Sequence, residues 1–146
     1  MNYEKIIEIS YALAGKCRHN KRCKHFSFIL KNKRIVSIGM NSPKTHPLNL
    51  KYNYINKQRH KISEVVGTHS ELRAVIKLGL EEYKGYTLVN TRINRNQEID
   101  YSFPCNGCME MIKELGFDRV IYTTKHGDFK CLNLNSKFDV IDIVRS

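Results

Sequence analysis

The sequence has 146 residues, a mass of 17.1 kDa and a formal net charge of +11 at pH 7. This length suits one domain with a sizeable core, so we expect a single domain over residues 1–146. No apolar run of about 18 residues and no hydrophobic signal region occurs, which excludes a membrane-spanning helix and favours a cytoplasmic protein.

More than half of the basic residues lie in one segment that contains no acidic residue. Residues 9–63 include 13 Lys and Arg and no Asp or Glu, which leaves 12 basic and 14 acidic residues for the rest of the chain. This segregation favours an anionic partner, most simply phosphate. The alternative is a solvated basic face that binds no ligand.

Residues 3 to about 15 have apolar side chains at helical spacing, and Gly15 is expected to end this helix. A basic loop follows. The chain has five cysteines and no evident disulfide framework, as is typical of a reducing compartment. A second, structural zinc site in the loop is an open alternative, although the spacing of its four candidate ligands matches no common zinc finger. These four are Cys17, His19, Cys23 and His25.

Residues 26–30 and 34–39 have the pattern of two strands joined by a tight turn at residues 31–33, a β-hairpin. Asn41 follows the second strand. The next segment, residues 42–63, is rich in basic residues interleaved with tyrosines, which suits either a nucleic-acid strand or a mobile loop. Its candidate contacts to phosphate or nucleic acid are Lys44, Lys51 and Arg59.

A Thr-His-Ser-Glu motif follows this segment. It places Glu71 two residues after His69, in the first turn of a helix that is predicted to run to about Leu80. A lone histidine at a helix start is more often a cap or a surface residue. Whether His69 is interpreted as a metal ligand therefore depends on the second motif.

The second motif, Pro-Cys-Asn-Gly-Cys, places Cys105 and Cys108 at the start of another helix, which is predicted to end at Gly116. Imidazole and thiolate are preferred zinc ligands, and a catalytic site uses three so that water takes the fourth position. His69, Cys105 and Cys108 supply that number. A redox pair or a structural zinc site is the alternative for the two cysteines, but it gives Glu71 no task.

Together the two motifs resemble the zinc-dependent cytidine and deoxycytidylate deaminase superfamily, whose signature is HxE followed by PCxxC. The resemblance covers roughly residues 25–125. It implies one catalytic zinc ion, held by His69, Cys105 and Cys108, and it gives Glu71 the role of general acid and base. The chain departs from the usual pattern at Ser70, where Ala is common, and at residues 26–28, Phe-Ser-Phe in place of Val-Gly-Ala. Position 70 is expected to act mainly through its backbone.

Further strands are predicted at residues 85–91, 120–123 and 138–143. With the hairpin they give a five-stranded mixed sheet, and the order of elements predicts a three-layer α/β/α domain of the cytidine deaminase type. In the resembled family a residue like Asn41 contacts the sugar of the substrate, and Tyr122 ends a strand where α/β sheets bind ligands. The candidate substrate contacts are Asn41, Ser70, Ser102, Pro104 and Tyr122.

The resemblance implies hydrolytic deamination of cytosine to uracil with release of ammonia, most simply on a dCMP-type nucleotide whose phosphate meets the basic segment. A deaminase of cytosine or adenine in DNA or RNA is the alternative, because 13 cations exceed what one phosphate needs. A zinc domain that binds nucleic acid without catalysis is the third hypothesis. The expected partners are a nucleotide or single-stranded nucleic acid and, in a homo-oligomer, further copies of the chain.

Overall fold

The structure, a computed structural model, describes residues 2–16, 24–42 and 68–135 together with the backbone of residues 140–143. These parts of the chain contain three helices and six strands. The helices are α1 (Tyr3–Lys16), α2 (Ser70–Leu78) and α3 (Asn106–Leu115). The strands are β1 (Lys24–Lys31), β2 (Arg34–Met40), β3 (Tyr86–Ile93), β4 (Arg119–Thr123), β5 (Phe129–Asn133) and β6 (Val140–Ile143).

The six strands form one mixed sheet in the order β2-β1-β3-β4-β5-β6. Strands β3 and β4 are parallel, and each of the other neighbouring pairs is antiparallel. The mixed sheet is confirmed, but the predicted number of five strands is wrong. Strand β5 was missed, because five residues of mixed polarity, Phe-Lys-Cys-Leu-Asn, give too short a pattern to stand out.

Helices cover both faces of the sheet, which confirms the three-layer α/β/α fold. Successive strand residues point to opposite faces, so the neighbours Phe28 and Ile29 belong to two different core clusters. One cluster holds the buried side of α1, including Ile6 and Ile7, while the other holds the apolar sides of α2 and α3, including Leu72 and Ile112. The zinc motifs therefore lie on one face of the sheet, opposite α1.

Local turns explain where the elements end. Asn32 and Lys33 have φ angles of 51° and 66°, as in the two-residue turns that match the twist of a β-hairpin. Helix α2 ends at Leu78 because Gly79 adopts a left-handed conformation with φ of 71° and donates its N–H to Val75 O. The prediction that this helix runs to Leu80 is therefore wrong by about half a turn, and Leu80 is partly exposed.

Among the described helices, none is both long and apolar enough to cross a lipid bilayer.

Candidate metal centre and active site

His69 is held at the amino-terminal end of α2. It is the N-cap residue of this helix, with extended φ and ψ of −68° and 154°, and its carbonyl accepts from Arg73 N at 3.1 Å. The preceding residue, Thr68, exchanges two backbone hydrogen bonds of 2.8 and 2.9 Å with Ser42, just beyond β2. The end of β2 thus fixes the backbone that carries the imidazole.

Cys105 occupies the corresponding position on α3. It is the N-cap residue of this helix, its Sγ accepts from the N–H of Cys108 at 3.5 Å, and its carbonyl accepts from Met109 N at 2.8 Å. Both motifs therefore lie at helix amino termini, where the partial positive charge of the helix favours thiolate over thiol.

The two sulfurs converge on one ring nitrogen. Sγ of Cys105 and Sγ of Cys108 each lie 3.4 Å from Nδ1 of His69, and the three atoms all lie within 4.8 Å of one another. Zinc bonds of about 2.0 Å to nitrogen and about 2.3 Å to sulfur in tetrahedral geometry place N and S about 3.5 Å apart. The donor set and its spacing therefore fit a zinc ion with three protein ligands.

The hydrogen bonds within this group stabilise a thiolate. The pKa of Cys105 falls to about 4, chiefly through its hydrogen bond with the Cys108 side chain, and a hydrogen bond with His69 lowers it further against the effect of burial. The same bond with Cys105 raises the pKa of His69. A divalent cation that binds here must displace the imidazole proton, so metal affinity should decline at low pH.

Glu71 lies in the first turn of α2 and is only 6% exposed. Its Oε2 accepts from Nδ2 of Asn90 at 3.0 Å, and its Oε1 accepts from Oγ of Ser70 at 3.1 Å. Each carboxylate oxygen therefore has a protein partner. The carboxylate lines the same cavity as His69 and Cys105 but is not part of the ligand group.

A cavity of about 270 Å³ opens over this group. Small-molecule pockets occupy about 300–1,000 Å³, so the cavity suits a small ring rather than a large ligand. It brings together the predicted residues Asn41, Ser70 and Ser102 with Glu71 and two of the zinc ligands. The lining residues are His25, Asn41, Ser42, Thr68, His69, Ser70, Glu71, Ser102, Phe103 and Cys105.

Hydrogen bonds inside the protein already use several of these polar groups. Oδ1 of Asn41 accepts from the backbone N–H of His25 at 3.1 Å. The Oγ of Ser102 donates to the carbonyl of Asn90 at 2.9 Å and accepts from Thr123 N at 2.7 Å. The substrate contacts of Asn41 and Ser102 stay predictions, and the bonds around Ser102 link β3 to the end of β4.

Two other predicted substrate contacts, Pro104 and Tyr122, do not line this cavity. Pro104 is buried, and Tyr122 is 6% exposed with its ring edge-on to Phe103 at 4.9 Å between centroids. The three predicted phosphate contacts, Lys44, Lys51 and Arg59, lie outside the described residues.

The cavity also contains His25, which the sequence assigned only to a second zinc site. Burial is the main cause that lowers the pKa of His25 to about 4, and the charges of Arg92 and His69 lower it further. The imidazole is therefore neutral at pH 7. The other three residues of that alternative, Cys17, His19 and Cys23, lie outside the described residues.

An aromatic surface lies beside the cavity. Phe103 lines it, and the ring of Tyr101 stacks on Phe103 with an interplanar angle of 16° and 6.3 Å between centroids. Tyr101 is 47% exposed. This stacked pair presents an aromatic face to solvent next to the candidate site.

The sequence reasoning missed two polar residues of the site, Ser27 and Asn90. Both lie in strands, are at most 4% exposed, and are joined by a hydrogen bond of 2.6 Å between Ser27 Oγ and Asn90 Oδ1. A polar residue at an inward strand position was the available signal, because a buried amide needs partners.

The comparison with protein families agrees with this geometry. The family model "Cytidine and deoxycytidylate deaminase zinc-binding region" matches residues 1–124. The crystal structure of cytidine deaminase from Burkholderia pseudomallei is similar over 92% of this chain and 94% of that chain, with a TM-score of 0.57 and 16% identity. The apo structure of dCMP deaminase from the cyanophage S-TIM5 has a TM-score of 0.47 and 21% identity over 83% of this chain and 84% of that chain. No curated protein matches the sequence significantly.

Proposed function

The chain belongs to the cytidine and deoxycytidylate deaminase zinc-binding family, and from this premise we propose that it deaminates cytosine on a phosphorylated substrate, most simply a dCMP-type nucleotide. The family is one of zinc-dependent hydrolases, and zinc is its cofactor. The observation that carries the proposal is that Glu71 shares one cavity, with a volume suited to a pyrimidine ring, with His69 and Cys105 of the ligand group.

The reaction exchanges the C4 amino group of cytosine for the oxygen of water and releases ammonia. A zinc ion at His69, Cys105 and Cys108 would supply a Lewis acid that lowers the pKa of a water molecule toward about 7. Glu71 would then carry the two protons of this water one after the other, the first to ring nitrogen N3 and the second to the departing amine, so that uracil and ammonia are formed. The hydrogen bonds from Asn90 and Ser70 favour one orientation of the carboxylate for these transfers.

A free nucleotide is the favoured substrate because family membership is the firmest evidence. Asn41 lines the cavity, so a contact with the sugar of the substrate is part of the proposal. The acid-free segment, residues 9–63, would supply positive charge for the phosphate. We further propose a cytoplasmic location, because thiolate ligands must stay reduced to bind zinc.

One observation favours a polynucleotide substrate as the second candidate. Tyr101 and Phe103 form a stacked aromatic surface beside the cavity, and exposed rings of this kind stack on bases of single strands. A cytosine or adenine in DNA or RNA would have to be unpaired or flipped to enter the cavity. The 13 basic residues of the acid-free segment agree with this candidate as well.

A substrate panel tests both candidates. The zinc-loaded protein is incubated with dCMP, dCTP, cytidine and a cytosine-containing single-stranded oligonucleotide, and uracil formation is measured. Turnover of dCMP well above that of cytidine and the oligonucleotide supports the proposal, whereas turnover of the oligonucleotide alone supports the second candidate. Deamination of none of them, with one zinc bound per chain, contradicts the proposed function.

The salt dependence of substrate affinity and the removal of the exposed Tyr101 ring give an independent test. A polynucleotide binder loses affinity with a log-log slope of roughly −0.7 per phosphate contact on single strands, while a mononucleotide gives a shallow slope. Tyr101→Ala should leave kcat/KM for dCMP unchanged, because the ring lies outside the cavity. A loss of about 1–3 kcal/mol in oligonucleotide binding by the same variant would instead favour the polynucleotide.

A further inference from the structure

Asn90 bonds through its amide group to the first zinc motif and to the segment that leads into the second. Nδ2 of Asn90 donates to Oε2 of Glu71 at 3.0 Å and to the carbonyl oxygen of Ser102 at 3.2 Å. Glu71 belongs to the first motif, and Ser102 lies three residues before the first cysteine of the second. One side chain in the central strand β3 therefore bonds to both halves of the site.

Chemistry fixes the orientation of this amide. The carboxylate of Glu71 and the carbonyl of Ser102 are both acceptors, so only the NH₂ group can face them. On the opposite side, Oγ of Ser27 donates to Oδ1 of Asn90 at 2.6 Å. A flipped amide would place its oxygen against two acceptors, so the arrangement has one stable orientation.

Two serines reinforce the arrangement from the neighbouring elements. Oγ of Ser70 lies 2.7 Å from Oγ of Ser27 and 3.1 Å from Oε1 of Glu71, and because Ser27 donates its own proton to Asn90, the single hydroxyl proton of Ser70 is shared between these two oxygens. Ser27 is fully buried and Ser70 is 1% exposed. These are the positions at which the sequence departs from the usual family pattern, and their side chains meet. The expectation that position 70 acts mainly through its backbone does not account for this contact.

We propose that Asn90 is a positioning residue that holds the carboxylate of Glu71 in fixed relation to the cysteine motif, with Ser27 locking its amide. This inference rests on the proposed function, because it gives Glu71 the proton transfers. Buried hydrogen-bonded networks restrict side chains strongly, and a misplacement of about 1 Å costs a catalytic group up to about 10²-fold in rate.

The kinetic test compares Asn90→Ala with Thr91→Val in the zinc-loaded protein. Thr91 is the next residue on β3, is fully buried, and bonds to Ser10 Oγ at 2.7 Å on the opposite face of the sheet. Asn90→Ala should lower kcat roughly 10- to 100-fold with KM nearly unchanged and one zinc per chain. Thr91→Val should lower thermal stability without lowering kcat. Equal kcat values in the two variants would overturn the proposal.

Asn90→Asp and Ser27→Ala extend the test. Asn90→Asp keeps the volume but places a carboxylate against Glu71 and the Ser102 carbonyl, so its kcat should fall at least as far. Asn90→Asp also serves as the variant for the kinetic test if Asn90→Ala does not fold. Ser27→Ala removes the lock on the amide, and a smaller fall in kcat is expected. Wild-type kcat in Asn90→Asp would contradict a role for the NH₂ group.

Crystal structures of the zinc-loaded wild type and Asn90→Ala provide a measurement that does not depend on turnover. The Glu71 carboxylate should leave its position in the variant while His69, Cys105 and Cys108 keep theirs. A carboxylate that stays in place overturns the positioning role. If the wild type deaminates no cytosine substrate, the proposed function fails, but these structures still decide whether Asn90 positions Glu71.

Discussion

The backbone of Ala74 lies so close to Gly39 that a Cβ atom built on Gly39 would overlap its amide nitrogen and lie 2.9 Å from its Cα. Strand β2 carries Gly39 and helix α2 carries Ala74, so the absence of a side chain at position 39 lets the helix pack against the strand. This contact places the amino-terminal end of α2, with His69 and Glu71, over the sheet.

Gly39→Ala should therefore destabilise the protein. Overpacking costs about 1–3 kcal/mol, and the upper end is expected because the neighbouring atoms belong to the backbone and cannot rotate away. Gly15→Ala is the matched control, since a Cβ at Gly15 meets nothing within 4 Å and alanine favours a helix by up to about 1 kcal/mol. Urea unfolding measures both variants. A Gly39→Ala protein as stable as the wild type would contradict the packing of α2 on β2.

Zinc binding should depend on the cysteines of the second motif. Cys105→Ala or Cys108→Ala should bind less than one zinc ion per chain and should unfold at a lower temperature, because metal binding and folding are coupled. Cys131→Ala is the control: this thiol is 6% exposed and lies in the cluster on the opposite face of the sheet. Metal analysis after dialysis gives the stoichiometry. Full zinc content in Cys105→Ala would exclude that sulfur as a ligand.

The sequence predicted the parts of the site that depend on local structure. His69 and Cys105 each begin a helix, and the spacing of Glu71 and Cys108 from them follows from a single helical turn. Such relationships are visible in a few consecutive residues. The three-layer fold was predictable for the same reason, because the strong helices and strands appear in a characteristic order.

Contacts between residues far apart in the sequence could not be predicted where no family motif connects the residues, as the two motifs connect His69 with Cys105 and Cys108. Ser27 and Asn90 are 63 positions apart, and Ser27 and Ser70 are 43 positions apart, so no periodic pattern connects them. Only the pairing of β1 with β3 brings Ser27 opposite Asn90. Strand β5 was missed for a related reason, since its place in the sheet depends on pairing with β4 and β6 rather than on its own short pattern.

Removal of the Glu71 carboxylate should separate catalysis from metal binding. Glu71→Ala should retain one zinc ion, because Glu71 is not part of the ligand group, and should lose about 10²-fold or more in kcat, because it removes a general acid and base. Glu110→Ala, on the exposed side of α3, should keep wild-type kcat. Zinc content and turnover of the preferred substrate are measured together. Wild-type kcat in Glu71→Ala would contradict the catalytic role of this carboxylate.

His25 should make stability depend on pH. An unfolded histidine titrates near pH 6.5, whereas burial, Arg92 and His69 lower the pKa of folded His25 to about 4. Between these values the unfolded chain binds more protons than the folded one, so the free energy of unfolding should fall as the pH decreases from about 6.5 to about 4. His25→Gln removes the imidazole that titrates, so the part of this pH dependence that comes from His25 should be absent in the variant.

The measurement is urea unfolding at several pH values with equal zinc concentrations, so that loss of metal affects each protein alike. His25→Gln should show a smaller decrease in stability on acidification than the wild type. His126→Gln changes a solvent-exposed histidine and should follow the wild type. An identical pH dependence in His25→Gln and the wild type would mean that this imidazole is not held neutral beside Arg92 and His69, and the electrostatic description of the cavity would have to change.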